Sequence, residues 1–200
     1  MSTCHLDLGC GGQPRNPFAR DELFGVDLAV PHGGAQVRAA NLVMQPMPFD
    51  TSSFDSVSAY DFFERVPRVL ATADGLSTRF PFIELMNEVW RVLKPGGLLY
   101  AVTPVFPHPA AFQDPTHVNI MTAGTHHYFV QPERRAAMYG YIGDFRALRA
   151  EPTRHRADAL YTPPPAGWWQ RARLAQRIRR GACGHVIWEF EAIKEKAPQA

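Results

Sequence analysis

Two aspartates, Asp7 and Asp27, flank a stretch of bare backbone, Gly9, Gly11 and Gly12, in the segments "HLDLGCGGQP" and "LFGVDLA". A carboxylate at the end of a second parallel strand can accept hydrogen bonds from both ribose hydroxyls, and glycine lets the chain approach a ligand with no side chain between. That pairing serves a dinucleotide or another adenosine-containing cofactor. A dinucleotide also needs GxGxxG or GxGxxA and a helix whose N-terminus faces the pyrophosphate. Here Pro14 stands at the third position and Pro17 follows, so any helix before Phe24 is short or broken. S-adenosylmethionine carries a sulfonium, an ammonium and a carboxylate but no phosphate. It does not need that helix, and the residues favour it over NAD.

A second group of reactive side chains lies in "TPVFPHPAAFQDPTHVNIMTAGTHHYF", which holds Asp114, His117, His126 and His127 among aromatics. A histidine titrating near its usual value of about 6.5 can take a proton from a hydroxyl or amine, and Asp114 can orient His117. The same "DPTH" also reads as a loop turn capped by Asp114 and bent by Pro115. The spacing of His108, Asp114, His117 and His126 matches no standard ligand motif, so no metal is expected. A third group, "AGWWQRARLAQRIRR", gathers Trp168, Trp169, Ala172, Ala175 and Ile178 roughly on one helical face, with arginines elsewhere. It reads first as a surface helix with its tryptophans in the core, and secondly as a peripheral contact of residues 167–180 with an anionic surface.

Strands must carry these groups. Apolar runs bounded by turn residues occur at Cys4–Leu8, Phe24–Leu28, Val37–Asn41, Phe54–Ala59 and Leu98–Thr103, and near-continuous hydrophobicity suits parallel strands covered on both faces. Helical spacing of Phe82, Met86, Val89, Trp90 and Leu93 predicts a helix from Pro81 to Leu93, stopped by "KPGG", and a shorter helix is expected over Phe62–Leu70. From His185, "HVIWEFEAIKEK" alternates as a last strand. Between them, Pro104 to Gly184 reads as irregular. The pattern is α/β.

Four segments, "LDLGCGGQP", "FGVDLA", "PMPFDTSSFDSVSAYDFFERV" and "LMNEVWRVLKPGGLLYAVTP", resemble in order and spacing the motifs of class I S-adenosylmethionine-dependent methyltransferases, especially the small type 11 group. The resemblance covers roughly residues 4 to 104. It implies a Rossmann-like, doubly wound sheet of about seven strands, mostly parallel with an antiparallel last strand, and methyl transfer from S-adenosylmethionine. It assigns Asp7, Gly9 and Gly11 to the methionine part, Asp27 to the ribose, Asn41 and Leu42 to the adenine, and Tyr60 and Asp61 to the border of the reacting methyl. The family's frequent "EHV" is "ERV" here, Glu64-Arg65-Val66. One domain over residues 1–200 is expected, with a cofactor-binding core at 1–104, a substrate-facing insertion and lid at 105–184, and the last strand at 185–196. The first strand begins close to Met1 without the family's usual preceding helices, so cofactor cover is expected from the second half or from a partner.

The 200 residues carry 21 basic and 19 acidic side chains, which excludes a strong polyelectrolyte, and 46% hydrophobic content excludes a disordered chain. Residues 1–100 hold 8 basic and 11 acidic groups and residues 101–200 hold 13 and 8, so the second half is the basic one. An anionic acceptor fits that asymmetry. Nucleic acid does not, because phosphate tracking needs a broad basic face. No apolar run approaches membrane-spanning length, three cysteines form no CxxC, and a cytoplasmic setting is expected. Candidate functions are methyl transfer to a small-molecule, glycan or lipid-linked acceptor, with His117 and Asp114 as catalytic candidates; a non-catalytic partner subunit; and, disfavoured by Pro14 and Pro17, a nicotinamide-dependent oxidoreductase.

Overall fold

The computed structural model describes residues 2–30, 36–155 and 159–194. Seven strands make one sheet: β1 (Cys4–Leu8), β2 (Glu22–Asp27), β3 (Val37–Ala39), β4 (Phe54–Tyr60), β5 (Leu93–Pro104), β6 (Phe145–Thr153) and β7 (His185–Ala192). Their spatial order is β3-β2-β1-β4-β5-β7-β6. β1 to β5 pair in parallel, while β7 runs antiparallel to both β5 and β6. The expected last strand is therefore present and reversed. It ends at Ala192, short of the expected 196, and residues 195 and 196 lie outside the described residues.

Strand alternation sorts the two faces of this sheet. Leu6, Leu8, Val57, Ala59, Leu99, Ala101, Trp188 and Phe190 fall on one face and enter the main apolar cluster. Helix α1 (Pro81–Val92) covers that face, with Pro81 in its first turn and a buried stripe of Phe82, Leu85, Met86, Val89 and Val92. In register on the other face stand His5, Asp7, Ser56, Ser58, Tyr60 and Tyr100, where only Tyr60, Tyr100, Val102 and Ile187 form a small buried cluster. Near-continuous hydrophobicity was thus misleading for β1 and β4, because their second face is polar.

Three expectations for local structure are corrected. The helix over Phe62–Leu70 is only a 3-10 turn at Phe63–Arg65, because Pro67 forces Val66 into an extended conformation. Leu70–Ala71 then pairs with Thr78–Arg79 in a short antiparallel ribbon. The region 105–184 is not irregular throughout: it supplies the edge strand β6, a helical turn α2 (Ala110–Gln113) and helix α3 (Trp168–Arg179). Finally, Trp168 and Trp169 do not enter the core, for each is 67% exposed. The side of α3 that faces the sheet is Leu174, Ala175 and Ile178, set opposite Leu148, Ala150 and Tyr161, and the two indoles in the first turn lie outside that contact.

Candidate cofactor pocket and acid–histidine cluster

The loop after β1 turns by left-handed backbone at Gly9 (φ +65°) and Gly11 (φ +59°). A Cβ on Gly9 would lie 2.6 Å from the Phe62 ring, so only glycine fits there. No helix follows between β1 and β2, as the two prolines predict. Gly11 N–H donates to Asp27 Oδ2 at 2.8 Å and Leu28 N–H to Oδ1 at 2.7 Å. A carboxylate accepts about four hydrogen bonds. Asp27 is therefore fixed by the backbone yet keeps capacity for two ligand hydroxyls. Asn41 Oδ1 accepts the Val43 N–H at 3.1 Å, which leaves the amide with donors to offer.

These groups converge. Gly9, Asp27, Asn41, Leu42 and Asp61 line one cavity of about 490 Å³ at the C-terminal edge of the parallel strands, with Phe62 and Arg65 completing its wall. That volume falls within the usual range of small-molecule sites, roughly 300–1,000 Å³. Asp7, Gly11 and Tyr60, also expected at the ligand, do not line this cavity. Asp7 is buried and spends its carboxylate on Ser58 Oγ (2.6 Å) and the Arg15 N–H (2.8 Å), holding the glycine loop onto β4. Burial raises its pKa to about 7 against the pull of those hydrogen bonds. The Tyr60 hydroxyl donates to Leu160 O, and the Arg15 guanidinium lies 4.6 Å from its ring centroid.

Behind Asp7 runs a buried polar chain. His5 Nε2 is 2.8 Å from Ser58 Oγ, and His5 Nδ1 is 2.7 Å from Ser56 Oγ. Because Ser58 donates to Asp7, it accepts from His5 Nε2–H, so His5 is neutral with Nδ1 accepting from Ser56. Burial, helped by Arg20, lowers the His5 pKa to about 3.

On the cavity's other side, acids and histidines cluster. Asp61 follows β4 with left-handed backbone (φ +48°), its N–H bonded to Val102 O at 2.9 Å. Its Oδ1 lies 3.2 Å from His185 Nε2 and its Oδ2 lies 3.9 Å from His155 Nε2. Burial pushes the Asp61 pKa up, but His185, His155 and Arg15 together bring it below the usual carboxylate range. His117 Nε2 sits between Glu64 Oε1 (3.7 Å) and Asp114 Oδ2 (3.8 Å), its ring buried. Asp114 is also the expected turn cap: the Thr116 N–H and hydroxyl both donate to Oδ1 at 2.8 Å, and Arg65 pairs with Oδ2 at 2.8 Å. Those bonds, the Thr116 ones first, hold its pKa at about 2. Glu64 is fully buried, accepts the Thr103 hydroxyl at 2.8 Å, and has its pKa raised by burial. His126 and His127 are engaged elsewhere, with the Ala123 carbonyl and Glu133.

Sequence reasoning missed Glu64 and His185. A reversed last strand starting at His185 must begin at the edge where the parallel strands end, and the pairing of Pro104 with His185 does just that. Strand direction was therefore the signal in the sequence that points to this histidine. Glu64 was visible as the first letter of "ERV", where the altered second position drew attention away.

Residues 6–101 match the model of a methyltransferase domain. No curated protein sequence matches the chain. Among solved structures, the chain is similar to a complex of the Haloferax volcanii Trm112 methyltransferase activator with a methyltransferase (TM-score 0.55, 16% identity, 96% of this chain and 84% of that one). It is similar also to a SAM-dependent methyltransferase from Archaeoglobus fulgidus (0.54, 17%, 96% and 86%) and to the [4+2]-cyclase SpnF (0.54, 18%, 97% and 76%). At such identities the likeness speaks for the fold, and the cyclase illustrates that this fold hosts more than one chemistry. The matched methyltransferase domain runs along β1 to β5 of a sheet with a single reversed strand, and that sheet is the fold the resemblance to class I S-adenosylmethionine-dependent methyltransferases implies.

Proposed function

We propose that this protein transfers a methyl group from S-adenosylmethionine to an oxygen or nitrogen of a small-molecule, glycan or lipid-linked acceptor. The observation that carries this reading is the single cavity joining Gly9, Asp27, Asn41, Leu42 and Asp61. Its chemistry fits the cofactor: Asp27 has acceptor capacity left for the ribose, Asn41 has donors left for the adenine edge, and Gly9, lacking a Cβ, lets the Phe62 ring close the cavity wall beside it. Asp7 supports the loop from behind. When bound, S-adenosylmethionine supplies a methyl made electrophilic by its sulfonium.

The chain's own residues then orient the acceptor, exclude water and receive a proton. Asp61 and His185 suit the last role. His185 Nε2 lies 3.2 Å from Asp61 Oδ1, and a carboxylate at that distance favours the imidazolium formed when the ring takes the proton that leaves the acceptor oxygen or nitrogen. His117 with Asp114 is the second candidate base, buried between two carboxylates. Asn substitution of each histidine separates them: the base variant loses the rising limb of the pH–rate profile, and the other keeps it.

Calorimetric titration with S-adenosylmethionine and its demethylated product tests the cofactor assignment. Wild type binds both, and Asp27→Ala weakens binding at least tenfold; absent binding by wild type, or full binding by the variant, contradicts it. The partner-subunit reading draws on the likeness to the activator-bound methyltransferase. It gains if the cofactor binds but methyl-tritiated donor labels nothing in fractionated metabolites, including cell-envelope sugars.

A further inference from the structure

Helix α3 is an anomaly that methyl transfer does not use. Residues 168–180 contain five arginines, Arg171, Arg173, Arg177, Arg179 and Arg180, and no acid. No residue of the helix is buried. Trp168 and Trp169 stack on one another with ring centroids 3.7 Å apart while remaining 67% exposed. Arg171, Leu174, Ala175 and Ile178 line a shallow cavity against β6, so that side of the helix faces the sheet. The opposite stripe, at helical spacing, is Trp169, Arg173, Gln176 and Arg180, with Arg177 beside it. It faces away from the protein.

We infer that this outward face docks on an anionic lipid surface. Five like charges on one short helix lack an intrahelical counter-charge; Glu151 and Glu189 share the cavity of Arg171, whereas Arg173, Arg177 and Arg180 stand exposed on the outward side, where a counter-charge comes from a partner surface. Two exposed indoles favour an interface that is apolar on one side and wet on the other, which is the headgroup layer of a bilayer. The stripe is too polar for deep insertion. Contact is therefore at headgroup depth, with the tryptophan pair at the N-terminal end of the helix wedged among lipids and the arginines reading their charge. Nucleic acid is less well matched, because the basic surface is a single helix rather than a track and the rings stack on each other.

Co-sedimentation with phosphatidylcholine vesicles, with and without phosphatidylglycerol, tests this independently of any methyl transfer. Wild type is expected to pellet only with the anionic vesicles, to be released by salt, and to show a blue-shifted tryptophan emission on binding. Trp168→Ala/Trp169→Ala should abolish the shift, and each arginine removed from Arg173, Arg177 and Arg180 should lower the partition coefficient roughly fivefold. Circular dichroism verifies folding of the variants, which remove no buried side chain. Failure of wild type to pellet, binding unaffected by the variants, or release of bound protein by single-stranded oligonucleotide but not from lipid by salt, would overturn the inference.

Discussion

The two faces of the sheet solve the covering problem differently. One is apolar, packed by α1 and by the aromatic group Phe63, Phe82, Phe129 and Trp188, whose ring centroids lie 5.3 to 6.5 Å apart. The other carries the buried chain Ser56–His5–Ser58–Asp7 and is covered by Phe18, by Tyr161 and by the segment before α3. The apolar face supplies stability through burial, which is non-directional. The polar face supplies position: hydrogen bonds fix the glycine loop at the cavity. The contrast teaches that the stable side and the site-building side of one sheet are separate, with the ligand edge between them.

The largest effect is expected on the apolar face. Trp188→Ala removes the biggest fully buried side chain and should cost about 3–5 kcal/mol in denaturant unfolding. Trp188 Nε1 is buried with no hydrogen-bond partner among the described residues, so Trp188→Phe should cost far less than the alanine change. If both variants unfold at the same denaturant concentration as wild type, the apolar face is not the stabilising one.

The polar face should instead reveal itself through pH. His5, lowered from 6.5 to about 3, stays neutral in the native protein, so its contribution is present above pH 6.5 and lost as pH falls towards 3. Asp7, raised from 3.8 to about 7, acts oppositely: its contribution is present below pH 3.8 and lost as pH rises through 7. Between about pH 4 and 6.5 the two slopes offset one another. Removing one partner should expose the other. His5→Gln should gain stability as pH falls from 7 to 4, and Asp7→Asn should lose it over the same range, each by at most about 1.4 kcal/mol per pH unit. Parallel pH profiles for the two variants would break the assignment of this face.

Most of the sheet was legible in the sequence because apolar runs and their bounding glycines and prolines are local features. β1 occupies its expected residues, and α1 ends within a residue of its expected stop. The polar face was not legible, because His5 and Asp7 become partners of Ser56 and Ser58 only through register between strands far apart in the chain. The failure over Phe62–Leu70 has a local cause, Pro67, that periodicity overlooked. Of the residues the family resemblance assigned to the cofactor, Gly9, Asp27, Asn41, Leu42 and Asp61 line the cavity and Asp7, Gly11 and Tyr60 do not. His155 and His185 reach Asp61 from the second half of the chain, where no motif marked them.

The smallest expected effect sharpens the comparison most. Tyr100 is buried on the polar face, yet its hydroxyl acts in positioning, for it accepts the Thr162 N–H at 3.0 Å, while the Tyr60 hydroxyl donates to Leu160 O. Two phenols thus pin the segment leading into α3. Tyr100→Phe keeps the ring and its packing against Tyr161, so it should lose only the hydrogen bond, about 1 kcal/mol or less. The loss should be local, read as faster hydrogen exchange at the Thr162 amide and quicker proteolysis at residues 159–167, with a nearly unchanged unfolding midpoint. Were this hydroxyl instead to cost as much as the Trp188 side chain, burial and hydrogen bonding would contribute alike on both faces. The division between a stabilising face and a positioning face would then fail.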